Sequence, residues 1–195
     1  MIQEAAIQEA AKNSRKESAL TSSMEQLTSA LTDQHHQIKT MMETVLTRVG
    51  ADRQAAFAEL CRFLAAHEAA EEACLHTPGK EELDGDTTVV DRRIEEEDEA
   101  GRAIAELERL GTSSPEFSDR FEKFRLAVIA HAEAEEHEEL PRLSGTLDEL
   151  EVKRMRDALA RVPYLASRNV DGGTSFKEQL HAARAEFRSA LPTAR

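Results

Sequence analysis

Apolar residues recur three or four positions apart in four long stretches of the chain, with polar residues between them. That period lays one apolar stripe along one face of an α-helix. The spacing predicts four helices, over about residues 22–49, 52–75, 87–110 and 114–140. Gly50 and Gly111 are typical stop signals. Ser114 with Pro115 is typical of a helix start, and Pro141 should end or kink the fourth helix.

Shorter helices are predicted after the fourth one. Two capping boxes, Thr146-x-x-Glu149 and Ser175-x-x-Glu178, each mark a helix start, and a turn at residues 169–173 lies between them. We therefore expect an all-α fold, an up-down-up-down antiparallel four-helix bundle with additional short C-terminal helices. The predicted segments are a polar helical extension at residues 1–20, the bundle at residues 22–143 and a helical tail at residues 144–195.

Each apolar stripe is interrupted by a His or a Glu at a position that should face the bundle interior. The stripes are Leu27, Leu31, His35, Ile38, Met42, Val45 and Val49; Phe57, Leu60, Leu64, His67, Glu71 and Leu75; Val90, Ile94, Glu97, Gly101, Ile104 and Leu107; and Phe117, Phe121, Phe124, Val128, His131 and Glu135. With a rise of about 1.5 Å per residue in antiparallel neighbours, the polar positions fall in one layer to within about one turn. Six ionisable side chains should converge there: His35, His67, Glu71, Glu97, His131 and Glu135.

Composition and charge narrow the range of functions. The chain has 25 Lys and Arg against 38 Asp and Glu, so it should repel a phosphate backbone, and no nucleic-acid partner is expected. No apolar run approaches the roughly 18 residues of a membrane span, and the N-terminus lacks a signal-peptide core, so we expect a cytoplasmic protein without a membrane partner. Cys61 and Cys74 do not make a disulfide framework and should be small core residues.

Carboxylates at this depth need a positive partner. Burying several of them in an apolar layer is costly unless they are paired, and no Lys or Arg occupies the stripes at that depth. Two divalent cations would carry four positive charges against the three carboxylates of Glu71, Glu97 and Glu135. The i,i+4 pairs His67/Glu71 and His131/Glu135 each present both groups on one helix face. Imidazole and carboxylate without thiolate favour Fe, Mn or Zn.

Neighbouring residues allow more than one interpretation. His36 is about 100° from His35 around the helix, so it should lie on a flank. Glu68 is a further candidate ligand, or a group that supports one. The acidic run at residues 95–99 should mostly be a solvated face. The alternative to a metal site is a metal-free bundle with solvated His and Glu side chains that serves protein interactions.

These segments resemble the hemerythrin-like (HHE) cation-binding domain family, most closely its actinobacterial and other bacterial members. The resemblance covers about residues 24–143 and rests on DQHHQI at 33–38, HEAAEE at 67–72, IEEEDEAGRAIAEL at 94–107 and HAEAEEHEELP at 131–141. It implies a four-helix bundle around two non-haem iron ions with an oxo or carboxylate bridge. The implied ligands are His35, His67, Glu71, His131 and Glu135, and Glu68 matches a carboxylate that some members use.

The chain departs from this family on the third helix. The family usually has a histidine where this chain has Glu97, and its oxygen carriers have a second one where this chain has Gly101. A carboxylate in place of imidazole favours ferric iron. We therefore expect chemistry with O2, hydrogen peroxide or NO, as in a catalase-like or oxidase enzyme, rather than oxygen carriage. Gly101 should leave room beside the metals for a small molecule. The alternative is a non-enzymatic module for iron or oxygen sensing or storage.

Overall fold

The computed structural model describes residues 2–76, 88–168 and 174–190, which form helices joined by short turns and contain no strand. The helices are α1 (Ile2–Thr47), α2 (Gly50–Glu71), α3 (Thr88–Leu110), α4 (Phe117–Ala134), α5 (Leu140–Leu143), α6 (Glu149–Leu159), α7 (Val162–Ser167) and α8 (Phe176–Ala190). Two π-helical segments, Glu72–His76 and Glu135–Glu139, extend α2 and join α4 to α5. The predicted all-α fold class is confirmed. Among the described residues, no helix combines the length and apolarity that a membrane span requires.

Helix α1 is longer than the spacing of its stripe predicts. It begins at Ile2 rather than near Ser22, because no glycine or proline interrupts the chain before Thr47. Helix α3 ends at Leu110, directly before Gly111 as predicted; φ of Gly111 is 76°, and its N–H donates to the Leu107 carbonyl at 3.0 Å. The predicted turns at residues 77–86 and 169–173 lie outside the described residues.

The fourth helix begins and ends differently from the prediction. A turn precedes α4, in which the Ser114 hydroxyl accepts from the Glu116 N–H at 3.3 Å, so the helix begins only at Phe117. Pro141 does not end the helical path. It lies in the first turn of α5, directly after a π-helical segment, where the N–H that proline lacks is not required.

One predicted capping box is confirmed and the other is wrong. At the start of α8, the Ser175 N–H donates to Glu178 Oε2 at 2.9 Å, and the Glu178 N–H donates to the Ser175 hydroxyl at 3.4 Å. Helix α6 is capped by Asp148 and Glu151 instead of Thr146 and Glu149. The Thr146 hydroxyl donates back to the Leu143 carbonyl, and the helix begins only at Glu149, with Asp148 as its N-cap.

The three C-terminal helices contribute to the same hydrophobic core as the longer helices. Helix α6 packs against α1 and α2, α7 packs against α2, and α8 packs against α2 and α3. Their buried side chains are Val152, Met155, Ala158, Leu159, Val162, Leu165, Phe176, Ala183 and Phe187. Helix α8 therefore contacts both α2 and α3. The division of the chain into three segments remains a prediction.

Replacing Phe187 in α8 should test this shared core. Phe187 is fully buried, so we expect Phe187→Ala to lower the free energy of unfolding by about 3–5 kcal/mol, measured by urea denaturation. Tyr164→Ala is the matched control, because the Tyr164 side chain is 63% exposed. Equal stability of the two variants would mean that α8 does not belong to the folded core.

Candidate metal centre

Three histidines from three helices surround two buried glutamates. His67 Nε2 is 3.0 Å from Glu71 Oε1, and His35 Nε2 is 3.6 Å from the same oxygen. Glu135 contacts His35 through Oε2 and His131 through Oε1, both at 3.3 Å. The side chains of Glu71 and Glu135 are 1% and 0% exposed. Each of these carboxylates therefore lies between two imidazoles.

The candidate ligand atoms form two adjacent groups. The first consists of His35, His67 and Glu71, and the second of Glu68, Glu71, Glu97 and His131. Within each group one ligand atom from every residue lies within 4.8 Å of the others, so each group could hold a metal ion. Glu71 belongs to both groups. The structure thus brings all seven residues selected from the sequence into one layer.

A hydrogen-bond chain from α6 determines which nitrogen of His67 carries the proton. The Gln34 side-chain N–H donates to the Leu159 carbonyl at 2.8 Å, which directs Gln34 Oε1 toward His67 Nδ1, 3.0 Å away. An amide oxygen only accepts, so Nδ1 must be the donor. In the neutral ring, His67 Nε2 then carries a lone pair that faces Glu71.

The other two histidines are held by carboxylates outside the inner layer. His35 Nδ1 is 2.7 Å from Glu136 Oε1, and His131 Nδ1 is 3.0 Å from Glu96 Oε2. An ionised carboxylate accepts, so Nδ1 donates in both rings and Nε2 faces the cluster. Partners of this kind orient metal-binding histidines and increase their basicity. All three imidazoles therefore present Nε2 to the same layer.

The sequence prediction missed these supporting residues and one buried base. Glu96 was expected on a solvated face, but its side chain is 35% exposed and holds His131. Arg93 was not on any stripe, yet it is 2% exposed, and its Nη1 atom lies 3.2 Å from Glu96 Oε2. Arg93 therefore corrects the expectation that no base lies near this depth. Its spacing of three residues from Val90 was the available signal.

The electrostatics of the layer favour positive charge at its centre. Burial alone would lower the pKa of His35, but the carboxylates of Glu135 and Glu71 outweigh burial and raise this pKa to about 10. Burial and Glu135 would raise the pKa of Glu71, but contacts with His67 and His35 bring it down to about 2. Burial, with the charges of Glu97 and Glu71, raises the pKa of Glu68 well above its ordinary value.

Buried carboxylate oxygens of Glu71 and Glu68 have no hydrogen-bond donor among the described residues. Neither oxygen of Glu71 accepts a hydrogen bond from a described residue, and the same holds for the buried Oε2 of Glu68. Buried polar atoms are normally satisfied, so such a set calls for an explanation. Lone pairs on Nε2 and on a carboxylate repel each other at 3.0–3.6 Å unless a proton or a metal ion lies between them. The donor set fits a metal of the Fe, Mn or Zn type.

The remaining sequence expectations near the layer have mixed outcomes. His36 is exposed, as predicted, and Cys61 and Cys74 are buried free thiols. Gly101 faces α8, and the space that it was expected to leave beside the metals remains a prediction. A Cβ atom on Gly101 would lie 3.8 Å from Phe176 Cε1, because α8 packs against this part of α3.

Comparison with known proteins supports this chemistry. Residues 26–143, well over half the chain, match the family described as the hemerythrin HHE cation-binding domain. The matched segment contains all seven candidate ligands and ends at the last residue of α5. No curated protein and no solved structure gives a significant match to the chain.

Alanine substitutions of the two adjacent histidines should distinguish a metal ligand from a surface residue. We expect His35→Ala to lose bound metal, since His35 Nε2 faces Glu71 and Glu135. His36→Ala should keep it, because that side chain is exposed. Metal content after reconstitution with ferrous iron is the measurement. Equal loss in both variants would contradict the assignment of His35.

Removal of Glu96 should weaken metal binding without removing a ligand. We expect Glu96→Ala to reduce metal affinity about 10-fold to 100-fold, because His131 loses its Nδ1 acceptor. Glu96→Gln keeps an acceptor oxygen and should recover part of the affinity. Glu95→Ala, at an exposed neighbouring position, is the control. The metal affinity of the parent protein and the three variants is measured by competition with a metal chelator. An unchanged affinity in Glu96→Ala would rule out that Glu96 orients His131.

Proposed function

Because this chain belongs to the hemerythrin HHE cation-binding domain family, we propose that it holds two iron ions and reacts with O2, hydrogen peroxide or NO. Cation binding follows from membership of this family. The choice of iron, the number of ions and the small-molecule chemistry are the proposal.

The observation that carries the proposal is the convergence of three Nε2 atoms on two carboxylates, each of which lies between two histidines. We assign His35 and His67 to one ion, and Glu68, Glu97 and His131 to the other. Glu71 and Glu135 would contact both. The four carboxylates of Glu68, Glu71, Glu97 and Glu135 balance the four positive charges of two ferrous ions.

The acidic character of the second group supports redox chemistry over oxygen carriage. Bound iron would supply the change between ferrous and ferric states that O2 and peroxide chemistry requires. Glu97 adds negative charge beside Glu68, which favours the ferric state. Glu96 and Arg93 hold His131 in place from outside the layer. Glu68 and Glu97 make the second group the more acidic half of the centre.

Access to the layer also favours the second group. Glu68, Glu97 and His131 line the inner end of a cleft of about 630 Å³ between α3 and α4. His35 and His67 line only a second cavity of about 10 Å³, which Glu68 and His131 also border. A small molecule that enters from solvent would therefore reach the ion held by Glu68, Glu97 and His131.

Metal analysis followed by a peroxide assay tests the proposal. After anaerobic reconstitution with ferrous iron, we expect two ions per chain and evolution of O2 from hydrogen peroxide at an oxygen electrode. His67→Ala should lose both properties, because it removes an inner Nε2 atom. Two ions without turnover would favour the sensing or storage module. Less than one metal ion per chain would contradict the di-iron proposal.

Substitution of Glu97 tests the departure from the family pattern. We expect Glu97→Ala to lower the metal content from two ions towards one, because a candidate ligand of the second group is lost. Glu97→His should retain both ions and raise the reduction potential, since a neutral ligand replaces an anionic one. Asp98→Ala, at an exposed position, is the control. Two ions and an unchanged spectrum in Glu97→Ala would exclude Glu97 as a ligand.

A further inference from the structure

Helix α3 carries two adjacent arginines in different environments. The Arg92 side chain is 56% exposed, whereas Arg93 is only 2% exposed. Taking a guanidinium out of water costs free energy, so arginines are rarely buried unless they are paired with an opposite charge. The buried position of Arg93 therefore requires an explanation that the exposed position of Arg92 does not.

Arg93 contacts two carboxylates, one closely and one loosely. Its Nη1 atom lies 3.2 Å from Glu96 Oε2, and its Nη2 atom lies 3.9 Å from Glu138 Oε2. Glu138 is shared with Arg92, whose Nη1 atom is 4.0 Å from the same oxygen, and the Glu138 side chain is 51% exposed. Solvent weakens an ion pair of that kind. Glu96 is therefore the main partner of the buried guanidinium.

The Glu96 oxygen that faces Arg93 also holds a candidate metal ligand. Glu96 Oε2 accepts from His131 Nδ1 at 3.0 Å. A carboxylate in this position increases the basicity of a metal-binding histidine. Because the positive charge of Arg93 compensates part of the negative charge on that oxygen, Glu96 attracts the Nδ1 proton less strongly. Arg93 thus limits the basicity that Glu96 gives to His131.

A positive charge at this place opposes the ferric state of a bound iron. The second metal group contains Glu68, Glu71 and Glu97, whose negative charges favour ferric over ferrous iron. A buried charge is screened less than an exposed one, so Arg93 acts on the centre more strongly than a surface arginine does. A centre that alternates between the two states needs such a balance, because excess negative charge would hold it in the ferric state.

We propose that Arg93 is a positioning residue of the second metal group, which raises its reduction potential through Glu96 and His131. The guanidinium compensates part of the charge of Glu96, His131 becomes a weaker donor to the metal, and the ferrous state stays accessible. This inference rests on the proposed function, because it concerns the iron of the same centre. It adds a residue outside the candidate ligands that regulates the redox balance.

Removal of the charge from each arginine in turn tests this role. Arg93→Met removes the buried charge, and Arg92→Met removes the same charge from the exposed neighbour. Each iron-loaded protein is equilibrated anaerobically with redox dyes of known potential, and the ratio of ferrous to ferric iron is measured by Mössbauer spectroscopy. We expect Arg93→Met to stabilise the ferric state about tenfold, which lowers the potential of a one-electron step by about 59 mV. Arg92→Met should change it little.

Further variants separate the charge of Arg93 from its shape. Arg93→Lys keeps the charge and should recover most of the parent potential. Arg93→Gln keeps a donor for Glu96 without the charge, so it should show the same decrease as Arg93→Met, and it replaces that variant if Arg93→Met does not fold. Cobalt(II) in place of iron reports ligand geometry through its visible spectrum, which should be the same in Arg93→Gln and the parent protein.

The outcomes distinguish this inference from the proposed function, because iron content is measured on every sample. An unchanged potential in the neutral variants, or an equal decrease in Arg92→Met, would overturn the inference. A higher potential with a changed cobalt spectrum would also overturn it, because Arg93 would then only hold Glu96 in place. With two iron ions per chain, these results leave the proposed function intact. Less than one iron ion per chain in the parent protein would contradict both.

Discussion

The rest of this structure depends on imidazole Nε2 atoms that face buried carboxylates. Nε2 atoms and carboxylate oxygens lie 3.0–3.6 Å apart in a layer with almost no exposed surface. Without a proton or a metal ion between them their lone pairs repel, and burial makes the repulsion stronger. The protein tolerates this arrangement only where something positive occupies the centre. The pKa of His35 is raised for the same reason, because a proton on this imidazole places positive charge beside the two carboxylates.

Some residues that hold the candidate ligands in place lie outside the segment that matches the family. The Leu159 carbonyl at the end of α6 holds Gln34, which in turn holds His67. Arg184 of α8 forms an ion pair with Glu72, the residue after Glu71. Both contacts connect helices outside residues 26–143 to the candidate ligands. The C-terminal helices therefore take part in positioning the centre as well as in covering the core.

Both His-x-x-x-Glu segments pass into π-helix at their glutamate. The first π-helical segment begins at Glu72, directly after Glu71, and the second begins at Glu135 itself. A π turn inserts an extra residue, so it changes the direction of every side chain that follows, and such segments are frequent at functional sites. In this chain, the second segment also carries Glu136, which holds His35.

The sequence by itself determined most of the helices and the convergence of six His and Glu side chains, with Glu68 as a further candidate. The spacing of apolar residues shows which face of a helix points to the core. The number of residues to the next turn shows how far along the bundle a side chain lies. Both can be counted along the sequence. The roles of Gln34, Glu96, Glu136 and Arg93 were decided by the tertiary structure, since each depends on a partner from another helix or on a small rotation about the helix axis. The same is true of Gly101, where α8 supplies Phe176. Local spacing cannot say which distant segment fills the space beside a residue, because that choice is made by packing across the whole chain.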